Sequence, residues 1–242
     1  KWTVTYLKTL EEKNAPEDKL EEICKKYWNN SGVRRYYIDR YFEKKEYDRV
    51  LQVLDESIEL DKAYRGQVLE YIQKKKEIYR LQGNKSAYIE QLWKLVLEQS
   101  AGDLDIYKEL KAQYSEKEWL IKREELFKKL PPNAHIDRLY KEEKLYDRLL
   151  AYVLKSSGLY AVQSYENVLK KEYPKQILSK YQGEVNKMAS CTGNRKHYAD
   201  LVALLRRMKR IKGGSEIVET IVEEWKIKYR NRPAMMDELS KL

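Results

Sequence analysis

Two stretches of this chain repeat one another, and that internal likeness constrains its fold more than any other feature. Ile38 to Leu51 resembles Ile136 to Leu150. Ile-Asp-Arg opens both, a charged turn follows, and Tyr47-Asp48-Arg49 answers Tyr146-Asp147-Arg148, with one residue inserted in the second copy. A second pair, Gly83-Asn84-Lys85-Ser86-Ala87-Tyr88 and Gly193-Asn194-Arg195-Lys196-His197-Tyr198, follows in the same order. Each long stretch reads as helix, tight polar turn, helix, and each short one leads into an amphipathic helix. A two-helix unit cannot bury its apolar stripe alone, so such units stack on their neighbours.

The rest of the chain agrees. Apolar residues recur at helical spacing, as in Val50, Leu51, Leu54 and Ile58, in Ile89, Leu92, Trp93 and Val96, and in Leu201, Val202, Leu205 and Met208. Nine Gly and five Pro supply too little turn chemistry for an all-β chain of many short strands. Breaks are expected at Asn29 to Gly32, Gly83-Asn84, Ser100 to Asp103, Pro131 to Asn133, Ser156 to Gly158, Gly193-Asn194 and Gly213-Gly214. Asn14 with Glu17 and Ser115 with Glu118 have the spacing of helix N-terminal caps. Trp2 to Leu7 could pass for a strand, but the preferred reading is helix. The expected fold is all-α: an α-solenoid of antiparallel helix pairs in a tetratricopeptide-like, right-handed superhelix, with an irregular compact helical bundle as the alternative. The likeness is one of geometry, because the Trp, Gly and Pro spacing of the tetratricopeptide consensus is missing. The chain reads as a single helical-repeat domain, 1–242, with 1–130 and 131–242 as the available subdivision.

Catalytic groups are sparse. Cys24, Cys191, His135 and His197 are the whole stock of soft metal ligands, and only Cys191 and His197 lie close in sequence, so neither a zinc site nor a nucleophile with its base is expected. The glycine pair Gly213-Gly214 separates two helices instead of cradling phosphate between strand and helix. Carboxylate pairs such as Glu11-Glu12 and Glu223-Glu224 read as solvated helix faces. No cofactor, no small-molecule substrate and no enzyme activity are expected. Two distant cysteines point to reduced thiols and a cytoplasmic setting, and no apolar run is long enough for a membrane span. The chain opens on Lys1 without a leader pattern, which reads as a C-terminal fragment of a longer protein.

Charge supplies one binding hypothesis. With 49 basic and 39 acidic residues the net charge is +10. Arg195, Lys196, Arg206, Arg207, Lys209, Arg210 and Lys212 face a single acid, Asp200, within one short stretch. One or two such cations complement a helix C-terminus. The remainder would attract phosphates of nucleic acid or an acidic protein. The 21 tyrosines read mainly as packing residues, although Tyr36-Tyr37 beside Arg34-Arg35 has the look of a stacking surface for single strands.

The closing segment carries a resemblance. From His197-Tyr198 through two helices separated by Gly213-Gly214, the chain ends on Tyr229-Arg230-Asn231-Arg232-Pro233-Ala234-Met235-Met236-Asp237-Glu238-Leu239. This resembles the C-terminal end of bacterial SWIM zinc-finger proteins, in which a zinc-binding module precedes a helical region closing on a Tyr-x-Arg-Arg-Pro-Ala-Leu-like tail. Tyr198, Tyr229, Arg230, Arg232, Pro233 and Glu238 are the family-like positions. Asn231 interrupts the arginines, and Met stands where Leu is commoner. The finger's Cys-x-Cys and Cys-x-His pattern is not in the sequence, so the resemblance implies zinc only in a missing upstream finger. It implies an interaction module: a non-enzymatic scaffold binding a protein partner, or nucleic-acid binding through 195–212 in concert with that finger.

Overall fold

A computed structural model describes residues 2–242, and these residues are all-α, with no strand among them. They form two compact units, the first ending at Leu139 and the second Tyr140–Leu242.

The first unit contains α1 (Trp2–Glu12), α2 (Glu17–Lys26), α3 (Ser31–Glu43), α4 (Tyr47–Leu60), α5 (Arg65–Leu81), α6 (Lys85–Lys94), α7 (Leu104–Lys111) and α8 (Glu116–Lys129). Helix α9 (Ile136–Glu142) carries the division between the units. The second unit continues with α10 (Tyr146–Lys155), α11 (Tyr160–Leu169), α12 (Pro174–Ser190), α13 (Arg195–Lys209), α14 (Gly214–Lys228) and α15 (Pro233–Leu239). Consecutive helices pack on one another through most of each unit, as expected of serial hairpins. In the second unit the periodic stripe of α13 joins Leu149, Val153, Ile177, Tyr181, Val218, Ile221 and Trp225 in one continuous core. Burying such side chains stabilises each helix far more than its intrinsic propensity does.

The two look-alike stretches fold alike. Lys45 donates its N–H to the Phe42 carbonyl and Glu46 to that of Tyr41; Lys144 donates to Lys141 and Leu145 to Tyr140. Both are Schellman caps, and in both a lysine, at φ 60° and 55°, takes the left-handed position that glycine usually fills. The second motif also holds: Asn84 accepts from the Ala87 N–H and Asn194 from the His197 N–H, each capping the next helix. Ser115 and Glu118 form a reciprocal capping box.

Two features depart from expectation. Asn14 does not cap α2; at φ 54° it occupies the left-handed position of the Schellman cap ending α1, while Pro16 precedes α2 without a side-chain cap. Helix α6 runs into a π-helical turn, Leu95–Gln99, that its sequence did not announce. Arg34, Tyr36 and Tyr37 are buried in α3, in keeping with the tyrosines as packing residues, and form no surface on which a strand could stack.

A candidate cationic groove

Successive residues of a helix turn by about 100°. The seven basic residues of 195–212 therefore cannot share one face, and the structure sends them in different directions. Arg195 pairs with Asp237 of α15 at 2.5 Å and reaches Glu238 at 3.5 Å. Arg206 donates to the carbonyl of Lys241 at 2.5 Å. Both guanidinium groups help dock α15 on α13. Arg207 points the other way, to α11, where its Nε meets Oε2 of the buried Glu166 at 2.6 Å and its Nη2 donates to the Gln163 carbonyl at 3.1 Å. Lys196, Arg210 and Lys212 are exposed and Lys209 is half-buried; none of the four makes an ion pair among the described residues.

A groove of about 410 Å³ opens between α11 and α13, lined by Glu166, Asn167, Lys170, Ala203, Arg207 and Arg210. Helix α12 packs against both and sends the hydroxyl of Tyr181 to Glu166 Oε2 at 2.6 Å. Burial first, and then this bond to a carboxylate, push the Tyr181 hydroxyl well above its ordinary pKa. One carboxylate oxygen thus receives a tyrosine and an arginine together. Lys170 donates to Asn167 Oδ1 at 2.9 Å and lies 3.7 Å from Glu166, while Arg210 makes no contact with an acid. Three cations face one carboxylate, leaving the groove two positive charges in excess.

Sequence reasoning found Arg207 and Arg210 but missed Glu166, Lys170 and Tyr181. Glu166 and Arg207 are 41 residues apart, and no local pattern marks their meeting.

The first unit has a larger cavity, about 680 Å³, between α1, α3 and α5. Lys8, Arg35, Arg40 and Lys74 line it together with Glu11, Asp39 and Glu43. Here most cations are already matched: Arg40 pairs with Glu11, Arg35 with Glu70 at 2.8 Å and Lys74 with Glu77 at 3.4 Å. Burial raises the Asp39 carboxyl above its ordinary pKa, against the opposing pull of Lys74.

The family-like tail gathers around the α12–α13 junction. Arg232 lies over the Tyr229 ring, 4.4 Å from its centroid, and donates to the Ala189 carbonyl at 2.8 Å and the Cys191 carbonyl at 3.3 Å, closing the C-terminal end of α12. Tyr198 accepts from the Gly193 N–H at 3.2 Å. Pro233 opens α15, Glu238 is buried and accepts from Lys241 at 2.7 Å, and Arg230 is exposed. His197 donates to the Met188 carbonyl at 3.1 Å, and Cys24 and Cys191 are both free. Among the described residues no group of three or more His, Cys, Asp or Glu is placed to hold a metal ion, and no helix is long and apolar enough to cross a membrane.

No protein-family model matches the chain, and no curated protein matches it.

Proposed function

We propose that the chain is a non-enzymatic helical-repeat scaffold that binds a protein partner through the α11–α13 groove, the partner presenting anionic side chains. The observation that carries this reading is the groove's excess of two positive charges, with Arg207 and Lys170 sharing Glu166 and Arg210 facing no acid. Preset cations in a groove between helices select an acidic segment without rearrangement. The finer fold belongs to the same reading: α11 and α13, and in the first unit α1, α3 and α5, are alternate helices that share a groove, as they would in a tetratricopeptide-like right-handed superhelix. The tail residues Tyr198, Tyr229, Arg230, Arg232, Pro233 and Glu238 support placing the scaffold at the C-terminal end of a cytoplasmic, bacterial SWIM zinc-finger-type protein, with any zinc held upstream. Cys-x-Cys and Cys-x-His codons ahead of Lys1 in the reading frame would test that placement directly.

Nucleic-acid binding through 195–212 is the second reading, favoured by the unpaired Lys196, Lys209, Arg210 and Lys212. It is the weaker one, because Arg195, Arg206 and Arg207 are engaged within the chain and no aromatic ring lines the groove for a base to stack on. Fluorescence anisotropy separates the two. A labelled Glu-rich peptide is expected to bind at low salt and to weaken about ten-fold when Lys170 and Arg210 are both changed to Glu. A labelled single-stranded oligonucleotide that binds more tightly than the peptide, and is released by Lys196→Ala, Lys209→Ala and Lys212→Ala, would replace the first reading by the second.

A further inference from the structure

We propose that the α11–α13 groove receives a phosphate monoester borne on a side chain of the protein partner. This rests on the scaffold reading and narrows what its partner carries. Charge comes first. Arg207 at 2.6 Å and Lys170 at 3.7 Å share the single charge of Glu166, and Arg210 faces no acid, so the groove keeps two positive charges in excess. A carboxylate carries one negative charge and would leave one cation unmatched, whereas a phosphate monoester carries about −1.5 to −2 at neutral pH and balances both.

Donor geometry points the same way. Arg207 uses Nε on Glu166 and Nη2 on the Gln163 carbonyl, which leaves Nη1 without a partner among the described residues, and its side chain remains 35% exposed. Arg210 keeps its whole guanidinium free of acids, and Lys170 has donors beyond the one directed at Asn167. Three separate cationic groups suit the three terminal oxygens of a phosphate monoester, and charge-assisted bonds of this kind are about twice as strong as neutral ones. Glu166 would repel a dianion if it stood free. Its Oε2 is instead covered by the Tyr181 hydroxyl and the Arg207 guanidinium, which also hold the arginine in place before any ligand arrives. Ala203, the one apolar residue of the lining, leaves room between the cations. No ring is present for a nucleobase, so the phosphate is better carried by a peptide side chain than by a nucleotide.

The experiment uses the whole chain and three labelled Gly- and Ala-rich peptides that differ at one central position, phosphoserine, glutamate or serine. The phosphoseryl peptide is expected to bind about ten-fold more tightly than the glutamyl one, and the seryl peptide not measurably. Lys170→Gln with Arg210→Gln, at exposed or half-exposed positions that leave far-ultraviolet dichroism unchanged, should abolish the preference. Amide NMR should place the phosphoseryl-induced shifts at Asn167, Lys170, Ala203 and Arg210. Equal affinity for the glutamyl and phosphoseryl peptides would overturn the phosphate proposal and leave the scaffold reading standing. Binding of neither peptide, or binding indifferent to the double variant, would overturn both. A single-stranded oligonucleotide that displaces the phosphoseryl peptide from a tighter site would overturn the choice of a protein source.

Discussion

Each unit contains an arginine and a tyrosine meeting on one carboxylate oxygen, and the two constellations differ in what surrounds them. In the first unit Asp61 Oδ2 receives Arg34 at 2.5 Å and the Tyr71 hydroxyl at 2.7 Å. In the second Glu166 Oε2 receives Arg207 and Tyr181. Arg34 is fully buried, with its remaining nitrogens donating to Ser57 Oγ at 3.1 Å and the Trp28 carbonyl at 2.6 Å, so it has nothing left to offer a ligand. Arg207 keeps a third of its side chain and one nitrogen open beside Lys170 and Arg210, in a groove with two positive charges in excess. The same chemistry is thus a lock when closed on every side and a contact site when one side opens. The two cavities follow the same rule: the larger one sets four cations against three carboxylates, the smaller one three against one.

The largest expected effect tests the closed lock. Arg34→Met leaves Asp61 charged, buried and held only by Tyr71, and should cost about 3–5 kcal/mol in urea unfolding. Arg207→Met leaves the equally buried Glu166 still held by Tyr181 and Lys170, and should cost less, about 1–2 kcal/mol, while weakening anionic peptides. Equal costs would erase the distinction between the two constellations.

Alkaline titration tests the closed unit a second way. Burial pushes the Cys24 thiol from 9.0 up to about 11 and the Tyr36 hydroxyl from 10.0 up to about 12. Each group holds its proton more tightly folded than unfolded. Its contribution is therefore complete below the unfolded value and is lost as pH rises through the folded one. The urea midpoint should fall as pH rises from about 9 toward 12, and Cys24→Val should shallow the first part of that fall. Cys191, in the other unit, is exposed, so a thiol reagent near neutral pH should label it and spare Cys24. Rapid labelling of Cys24 under those conditions would show that the first core is open.

What was legible in the sequence was what local spacing encodes. The 3.6-residue period of Leu201, Val202, Leu205 and Met208 reports the buried face of α13 directly, because a helix must present that stripe to the core. Ser115 was legible as a cap for the same local reason. Asn14 was misread because one side chain suits two jobs, and choosing between an N-cap and a left-handed C-terminal position depends on where Pro16 starts the next helix. The groove was legible in half. Reading 195–212 as one basic stretch ignored the turn of the helix, which carries Arg195 and Arg206 toward the chain's end and Arg207 and Arg210 toward α11. The other wall, Glu166 and Lys170, belongs to a distant segment brought close by packing on α12, and the π-helical turn after α6 has no spacing signature at all.

The smallest predicted effect concerns the turns that the two units share. Lys45 and Lys144 both hold a positive φ that costs an ordinary side chain about 1–2 kcal/mol, and glycine would adopt it without that cost. Glycine also loses more backbone entropy on folding, so the net gain is smaller. Lys45→Gly and Lys144→Gly should each stabilise by about 0.5–1 kcal/mol, measured by thermal unfolding. Neither variant removes a cap hydrogen bond, since the bonds run between backbone atoms from Tyr41 to Glu46 and from Tyr140 to Leu145. The comparison lies in their equality: gains that match mean that one turn geometry serves both hairpins. A gain at Lys45 without one at Lys144 would mean that the second turn is held by its surroundings, and the likeness of the two stretches would then be one of sequence without shared energetics.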